Sequence, residues 1–199
     1  MAKEFSNRYI FLYISVLVIL VVLLLTGVTL GLKPRQEANR AADRAMQILL
    51  AAGYRDIDAA DAGALFDRVA HAEAGEGYTI RCADGTVGHV VRLDGKGLWG
   101  AIWGYAVLSA DSTTLKGVTF GHKSETPGLG ANISEEKFTS QFAGKSLYDA
   151  DGNFTSVRVL PRGKEPAVAV ANRVDAVSGA TLTSRGVDQM LRNGLPHSH

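Results

Sequence analysis

Asp175-Ala176-Val177-Ser178-Gly179-Ala180-Thr181-Leu182-Thr183-Ser184 gathers hydroxyls on a small-residue turn, directly before a helical pattern formed by Gly186, Val187, Met190 and Leu191. A helix N-terminus offers N–H groups without intrahelical acceptors and a partial positive charge, so it suits a phosphate. An alcohol at the same place can hold a phosphorylated cofactor covalently. Capping of the helix by Ser178 or Thr181 is the ordinary use of such residues, and for this stretch in isolation it is the commoner one.

A second stretch, His122-Lys123-Ser124-Glu125-Thr126-Pro127-Gly128-Leu129-Gly130, follows a strand pattern. Pro127 fixes φ while Gly128 and Gly130 relax it, which shapes the loop and lets backbone approach a flat ligand. Leu129 could lie on a ring face, and Thr126 and backbone N–H groups could meet polar ring edges. A solvated Pro-Gly turn is the plain alternative. His122 with Glu125 raises the idea of a metal site or acid/base pair, but the spacing matches no standard ligand pattern. His197 and His199 form only a short tail, and metal binding is not expected.

The third stretch is Gly95-Lys96-Gly97-Leu98-Trp99-Gly100-Ala101-Ile102-Trp103-Gly104-Tyr105. Its aromatics can stack on a cofactor or fill a sheet core beside a glycine bend. A phosphate-loop lysine motif and Gly-x-Ser-x-Gly are both missing, so a nucleoside triphosphatase and a serine hydrolase have no support.

These stretches need a scaffold. Gln36 to Ala52 reads as a helix with Met46, Leu49 and Leu50 on its apolar face, Ile48 to one side and Gly53 as the stop. Asp58 to Ala72 is a second helical pattern with Leu65, Phe66 and Val69 inward. Strands are expected at Tyr78–Cys82, at His89–Leu93 ending in Asp94-Gly95, at Ile102–Ser109 and at Gly117–Phe120, with a turn at Asp84-Gly85. A short helix over Ser134–Phe142 takes Ser134 as its N-cap. Short strands follow at Val157–Leu160 and Ala167–Val170, and the last helix runs from Thr181 to Arg192, with Gly194 just past it. Strands in the middle and helices at both ends give an α+β fold with a largely antiparallel sheet.

From Tyr9 to Leu32 there is no charged residue. About 24 residues at ~1.5 Å each span ~36 Å, enough to cross a hydrocarbon core ~30 Å thick. Tyr9 and Tyr13 sit near one end, where amphipathic aromatics favour the interface. The run is longer than a signal peptide's apolar region and ends in Gly31-Leu32-Lys33-Pro34-Arg35 without a small-x-small cleavage site, so a retained anchor is expected. Residues 1–8 precede the span (9–32), a helical connector follows (33–76), and the soluble domain covers 77–199. Lys33, Arg35, Arg40 and Arg44 after the span outnumber Lys3 and Arg8 before it, which favours a cytoplasmic soluble domain.

The formal net charge of +1, with no dense basic run, gives no reason to expect nucleic-acid binding. Cys82 is the only cysteine, so this chain alone builds no intrachain disulfide, iron–sulfur cluster or cysteine zinc site. It reads as a small semi-buried residue in a strand.

Gly-Lys-Gly-Leu-Trp-Gly (95–100), His-x-x-Glu-Thr-Pro-Gly-Leu-Gly (122–130) and Asp-x-x-Ser-Gly-Ala-Thr (175–181), in this order behind an apolar helix, resemble the C-subunit family of the sodium-translocating NADH:quinone reductase, an FMN-binding domain family. The resemblance covers essentially the whole chain. It implies FMN joined through its phosphate to a threonine hydroxyl by a flavin transferase. Residue by residue, the acceptor is Thr181, within a site of Ser178, Gly179, Ala180, Leu182 and Thr183. Asp175 opens the transferase's recognition motif, and Glu125, Thr126, Gly128 and Leu129 belong to a wall of the isoalloxazine pocket. Thr183 and Ser184 remain alternative acceptors on the residues alone.

The implied role is an internal electron carrier, inactive by itself, that relays electrons from an iron–sulfur centre in neighbouring subunits to another covalent flavin. The overall reaction is NADH oxidation by quinone coupled to sodium export. The resemblance also implies a single-pass protein of the bacterial inner membrane with its soluble domain periplasmic, against the Lys/Arg count, and we follow the resemblance here. The G subunit of the Rnf ferredoxin:NAD complex shares the anchor, the loop and the flavinylation motif and stays the nearest alternative, and a non-redox anchor or assembly role is the other.

Overall fold

The computed structural model describes residues 7–72, 77–163 and 168–195, and the chain divides into two compact units, residues 1–42 and 43–199. Helix α1, Asn7–Ala51, takes Pro34 into its interior without a break. Its apolar N-terminal part has no buried residue and is long and apolar enough to cross a membrane. The Thr29 hydroxyl donates to the Leu25 carbonyl at 2.7 Å, which removes an unpaired polar group from that stretch.

In the second unit the helix end is fixed by Gly53 at φ +90°. The Gly53 N–H reaches the Leu50 carbonyl at 3.1 Å and the Tyr54 N–H reaches Leu49 at 3.0 Å, the paired bonds of a Schellman stop. Ala45, Ile48, Leu49 and Ala51 are the buried residues, so Ile48 is central to the packed face rather than to one side. Helix α2 covers only Ala62–Val69, with Leu65, Phe66 and Val69 half-buried beneath it.

Ala70–Ala72, expected as helix, is strand β1, because pairing with Tyr78–Ile80 overrides the helical preference of alanine. It opens a six-stranded antiparallel meander with β2 (Tyr78–Arg81), β3 (Val87–Lys96), β4 (Ala101–Ser109), β5 (Thr114–His122) and β6 (Lys145–Ser146), in that spatial order. The sheet is covered on both faces. Ile102, Ala106 and Leu108 of β4 face one core, and Trp103, Tyr105 and Val107 face the other, so the two alternating sets together make a nearly continuous apolar run. One core also holds Ile133, Phe138, Phe142, Val187, Met190 and Leu191; the other holds Ile48, Leu49 and Ala62.

Asp94-Gly95 does not end a strand. β3 continues to Lys96, and the reversal lies at residues 97–100. Gly95 is needed for packing: a Cβ there would stand 2.9 Å from the Met190 Cβ of helix α4, Thr181–Gly194. Gly186 of α4 lies so close to β3 that a Cβ would collide with the Lys96 carbonyl.

The expected helix over 134–142 is instead a 3-10 turn at Gly130–Ser134, one α turn α3 at Glu136–Thr139, and a second 3-10 turn at Ser140–Phe142. Ser134 caps nothing; its hydroxyl returns to the Ala131 carbonyl at 2.8 Å. β7 (Arg158–Leu160) pairs in parallel with β8 (Arg173–Asp175), which the sequence did not mark. The expected strand at 167–170 is not formed at Val168–Val170, where the chain enters a 3-10 turn at Val170–Asn172; Ala167 lies outside the described residues, as do His197 and His199. Asp188 ties α4 to β7. Its Oδ1 accepts from the Val159 N–H and from Arg158 Nε, both at 2.9 Å, and its Oδ2 meets Arg192 at 2.9 Å.

Candidate functional site

The site forms where the β3–β4 reversal, the loop after β5 and the start of α4 converge. Glu125 is its knot. This carboxylate is 4% exposed and accepts from the Trp99 N–H at 2.9 Å through Oε1 and from the Thr183 hydroxyl at 2.6 Å through Oε2. The sequence makes room for it with two glycines: a Cβ at Gly97 would stand 2.5 Å from Oε1, and one at Gly130 would stand 2.5 Å from Oε2. Burial pushes the carboxyl up, but hydrogen bonds from Thr183 and from the Trp99 and Gly100 N–H groups, with His122 nearby, outweigh it and hold the group below the ordinary glutamate range. Glu125 is therefore a buried anion that binds three chain segments together.

Helix α4 starts bare. Its N-cap is Ala180, and no side chain caps the first turn. Neither Ser178 nor Thr181, the two hydroxyls expected to cap it, does so. Ser184, 2% exposed, accepts from the Val177 N–H at 3.1 Å, and Thr183, 1% exposed, donates to Glu125. Thr181 and Ser178 are exposed. The N–H groups of the first turn are thus left for solvent or a ligand. Gly179 supplies φ +76°, and a Cβ there would come within 2.8 Å of Leu129 Cδ2, so the turn before α4 and the loop after β5 are in contact. Gly128 in that loop also takes φ +76°.

One hollow is lined by Leu98, Glu125, Thr126, Gly179, Ala180, Thr181, Leu182 and Thr183. Ser178 and Gly128 line a neighbouring hollow with Lys137, Arg162 and Asp175. Asp175 is held there by Arg162, at 2.9 Å, and its N–H donates to Gln141 Oε1 at 3.0 Å. Leu98 and Leu182, which share the first hollow with Thr181, are large apolar side chains open to solvent, as are Leu129, against Gly179, and Trp99, the last 66% exposed. Trp103, by contrast, is half-buried and packs on the core beneath the sheet. Leu98 is the residue that sequence reasoning missed; its signal was its place between Gly97 and Trp99 in the motif.

An uncapped helix start suits a phosphate, and an exposed apolar rim suits a flat aromatic ring. The arrangement fits a flavin mononucleotide. Residues 97–196 match the family model of the FMN-binding domain. The fold matches the crystal structure of the Na(+)-translocating NADH-quinone reductase C subunit from Parabacteroides distasonis with a TM-score of 0.74 and 32% identity, covering 82% of this chain and 93% of that one. The Shewanella oneidensis NqrC structure shares the fold with a TM-score of 0.65 at 24% identity, covering 77% of this chain and 91% of that one.

Among curated relatives, the Na(+)-translocating NADH-quinone reductase C subunit of Pseudomonas aeruginosa is 29% identical over 96% of this chain and 92% of its own length. That of Neisseria meningitidis is 29% identical over 82% of this chain and 80% of its own. The chain belongs to the C-subunit family of the Na(+)-translocating NADH-quinone reductases, within the FMN-binding domain family.

Proposed function

We propose that this chain is the membrane-anchored flavoprotein subunit of a sodium-translocating NADH:quinone reductase, with FMN joined through its phosphate to the Thr181 hydroxyl. The observation that carries the attachment point is the contrast among three neighbouring hydroxyls: Thr181 is exposed on a bare helix start, while Thr183 and Ser184 are buried and bonded. FMN, when bound, supplies reversible electron uptake and release. The residues of the chain then have separate tasks. The first-turn N–H groups of α4 hold the phosphate, Leu98, Leu129 and Leu182 cover apolar ring surface, and Thr126 offers a polar edge. Glu125 fixes the relative position of the three segments that bear them.

A flavin transferase that reads Asp175–Thr181 installs the cofactor. The protein passes electrons from an iron–sulfur centre of its neighbours to another covalent flavin and is inactive alone. Its soluble domain is periplasmic and its apolar helix anchors it in the inner membrane. The test is the intact mass of the full chain from its native membrane, with peptide mapping across residues 175–185. An addition of roughly 0.44 kDa on Thr181, FMN less water, is expected. An unmodified mass from cells with an active transferase overturns the proposal.

A further inference from the structure

Thr181 lines two hollows. One is the hollow beside Leu98 and Thr126 described above. The other, of about 700 Å³, lies along the outer side of α4 and is lined by Arg158, Arg185, Arg192, Asp188 and Gln189 among others. Three arginines face a single carboxylate there, so the hollow is positive. Two of the three are engaged, since Arg158 and Arg192 both bind Asp188. Outside this hollow, Arg162 is paired with Asp175. The Arg185 side chain is exposed and has no hydrogen bond or ion pair among the described residues.

We infer that Arg185 is the counter-ion of the phosphoester on Thr181 and that the arginine-lined hollow is the phosphate half of the flavin site. This rests on the attachment of FMN to Thr181. Arg185 is four residues after Thr181, so the two share one face of the helix with Cβ atoms about 5–6 Å apart. Every Cα–Cβ bond in a helix tilts toward the N-terminus, and a long side chain at the later position leans over the earlier one. A phosphate diester keeps one negative charge at every physiological pH. The bare N–H groups of the first turn meet part of it, and Arg185 is the one arginine of this hollow with its charge uncommitted. The two hollows then divide the cofactor by chemistry, with the ring on the leucine side and the phosphate on the arginine side.

The test is a double-mutant cycle on the full-length chain purified from membranes: the native chain, Arg185→Gln, Thr181→Ala and the double variant, with Arg185→Lys as the conservative control. Intact mass is taken on each before its unfolding equilibrium is measured. In flavin-bearing protein, Arg185→Gln should shift that equilibrium about two- to fivefold toward the unfolded state, whereas in the Thr181→Ala background it should shift nothing. The difference should vanish in about 1 M salt, and Arg185→Lys should keep most of the effect. Equal effects in both backgrounds overturn the pairing. If Arg185→Gln emerges without flavin, flavin retained by Arg185→Lys upholds the pairing and flavin lost from both overturns it. An unmodified native chain sinks the attachment itself, a distinct result from modified chain without coupling.

Discussion

Thr181 and Thr183 carry the same hydroxyl two residues apart on one helix, and the fold puts them to opposite uses. Thr183 is sealed in the interior, donating to Glu125 at 2.6 Å. Thr181 lies open on the rim among exposed leucines. The chemistry available to each is set by the partner that reaches it, and that partner, Glu125, comes from a loop 58 residues earlier. One threonine holds the site together, and the other is left free to react.

The contrast can be broken from either side. The largest effect is expected for Thr181→Ala, which should remove covalent flavin completely while changing stability of the flavin-free protein by no more than about 0.5 kcal/mol, as exposed substitutions do. Intact mass and a denaturant titration check both halves. Covalent flavin retained in that variant would move the acceptor to another hydroxyl. Glu125→Ala should act in the reverse sense, destabilising the domain by about 2–3 kcal/mol, because it strands the buried Thr183 hydroxyl and the Trp99 N–H. Its denaturation midpoint should fall even in protein that lacks flavin.

Thr183→Val is a milder cut at the same knot. It keeps the volume and removes one bond to a charged acceptor, so a loss of about 1.5–3 kcal/mol at most is expected, with flavin still on Thr181. Acid sharpens the comparison further. The folded pKa of Glu125 is lowered, so its contribution to stability is fully present above the ordinary glutamate value and is lost as pH falls through the lowered one. Thermal midpoints followed from about pH 6 to about pH 3 should drop less steeply in Glu125→Gln than in the native chain. The smallest effect concerns Cys82, a buried thiol that burial pushes up in pKa. It should react with iodoacetamide at neutral pH far more slowly than a free cysteine, until the domain is unfolded.

Much of the scaffold was legible because its signals are local. The charge-free run, the alternating strands of the meander and the small-residue turn before α4 each announce themselves within a few residues. What escaped depends on distant partners. Asp94-Gly95 looks like a turn, yet the glycine is there for Met190, and β3 runs past it. Ala70–Ala72 has helical composition but meets a strand edge. Arg173–Asp175 is too short and too polar to read as a strand, and it becomes one by pairing with Arg158–Leu160. In the site itself, the motif marked Glu125 as pocket wall, but only the structure displays it as a fully bonded internal anion, with Gly97 and Gly130 cut away around it.

The Glu125 knot also separates folded from unfolded molecules. In a disordered chain Ser178, Thr181, Thr183 and Ser184 are four similar alcohols within seven residues. Docking of α4 on the sheet withdraws Thr183 and Ser184 from solvent. In the folded domain only Ser178 and Thr181 of the four still meet an enzyme arriving from solvent.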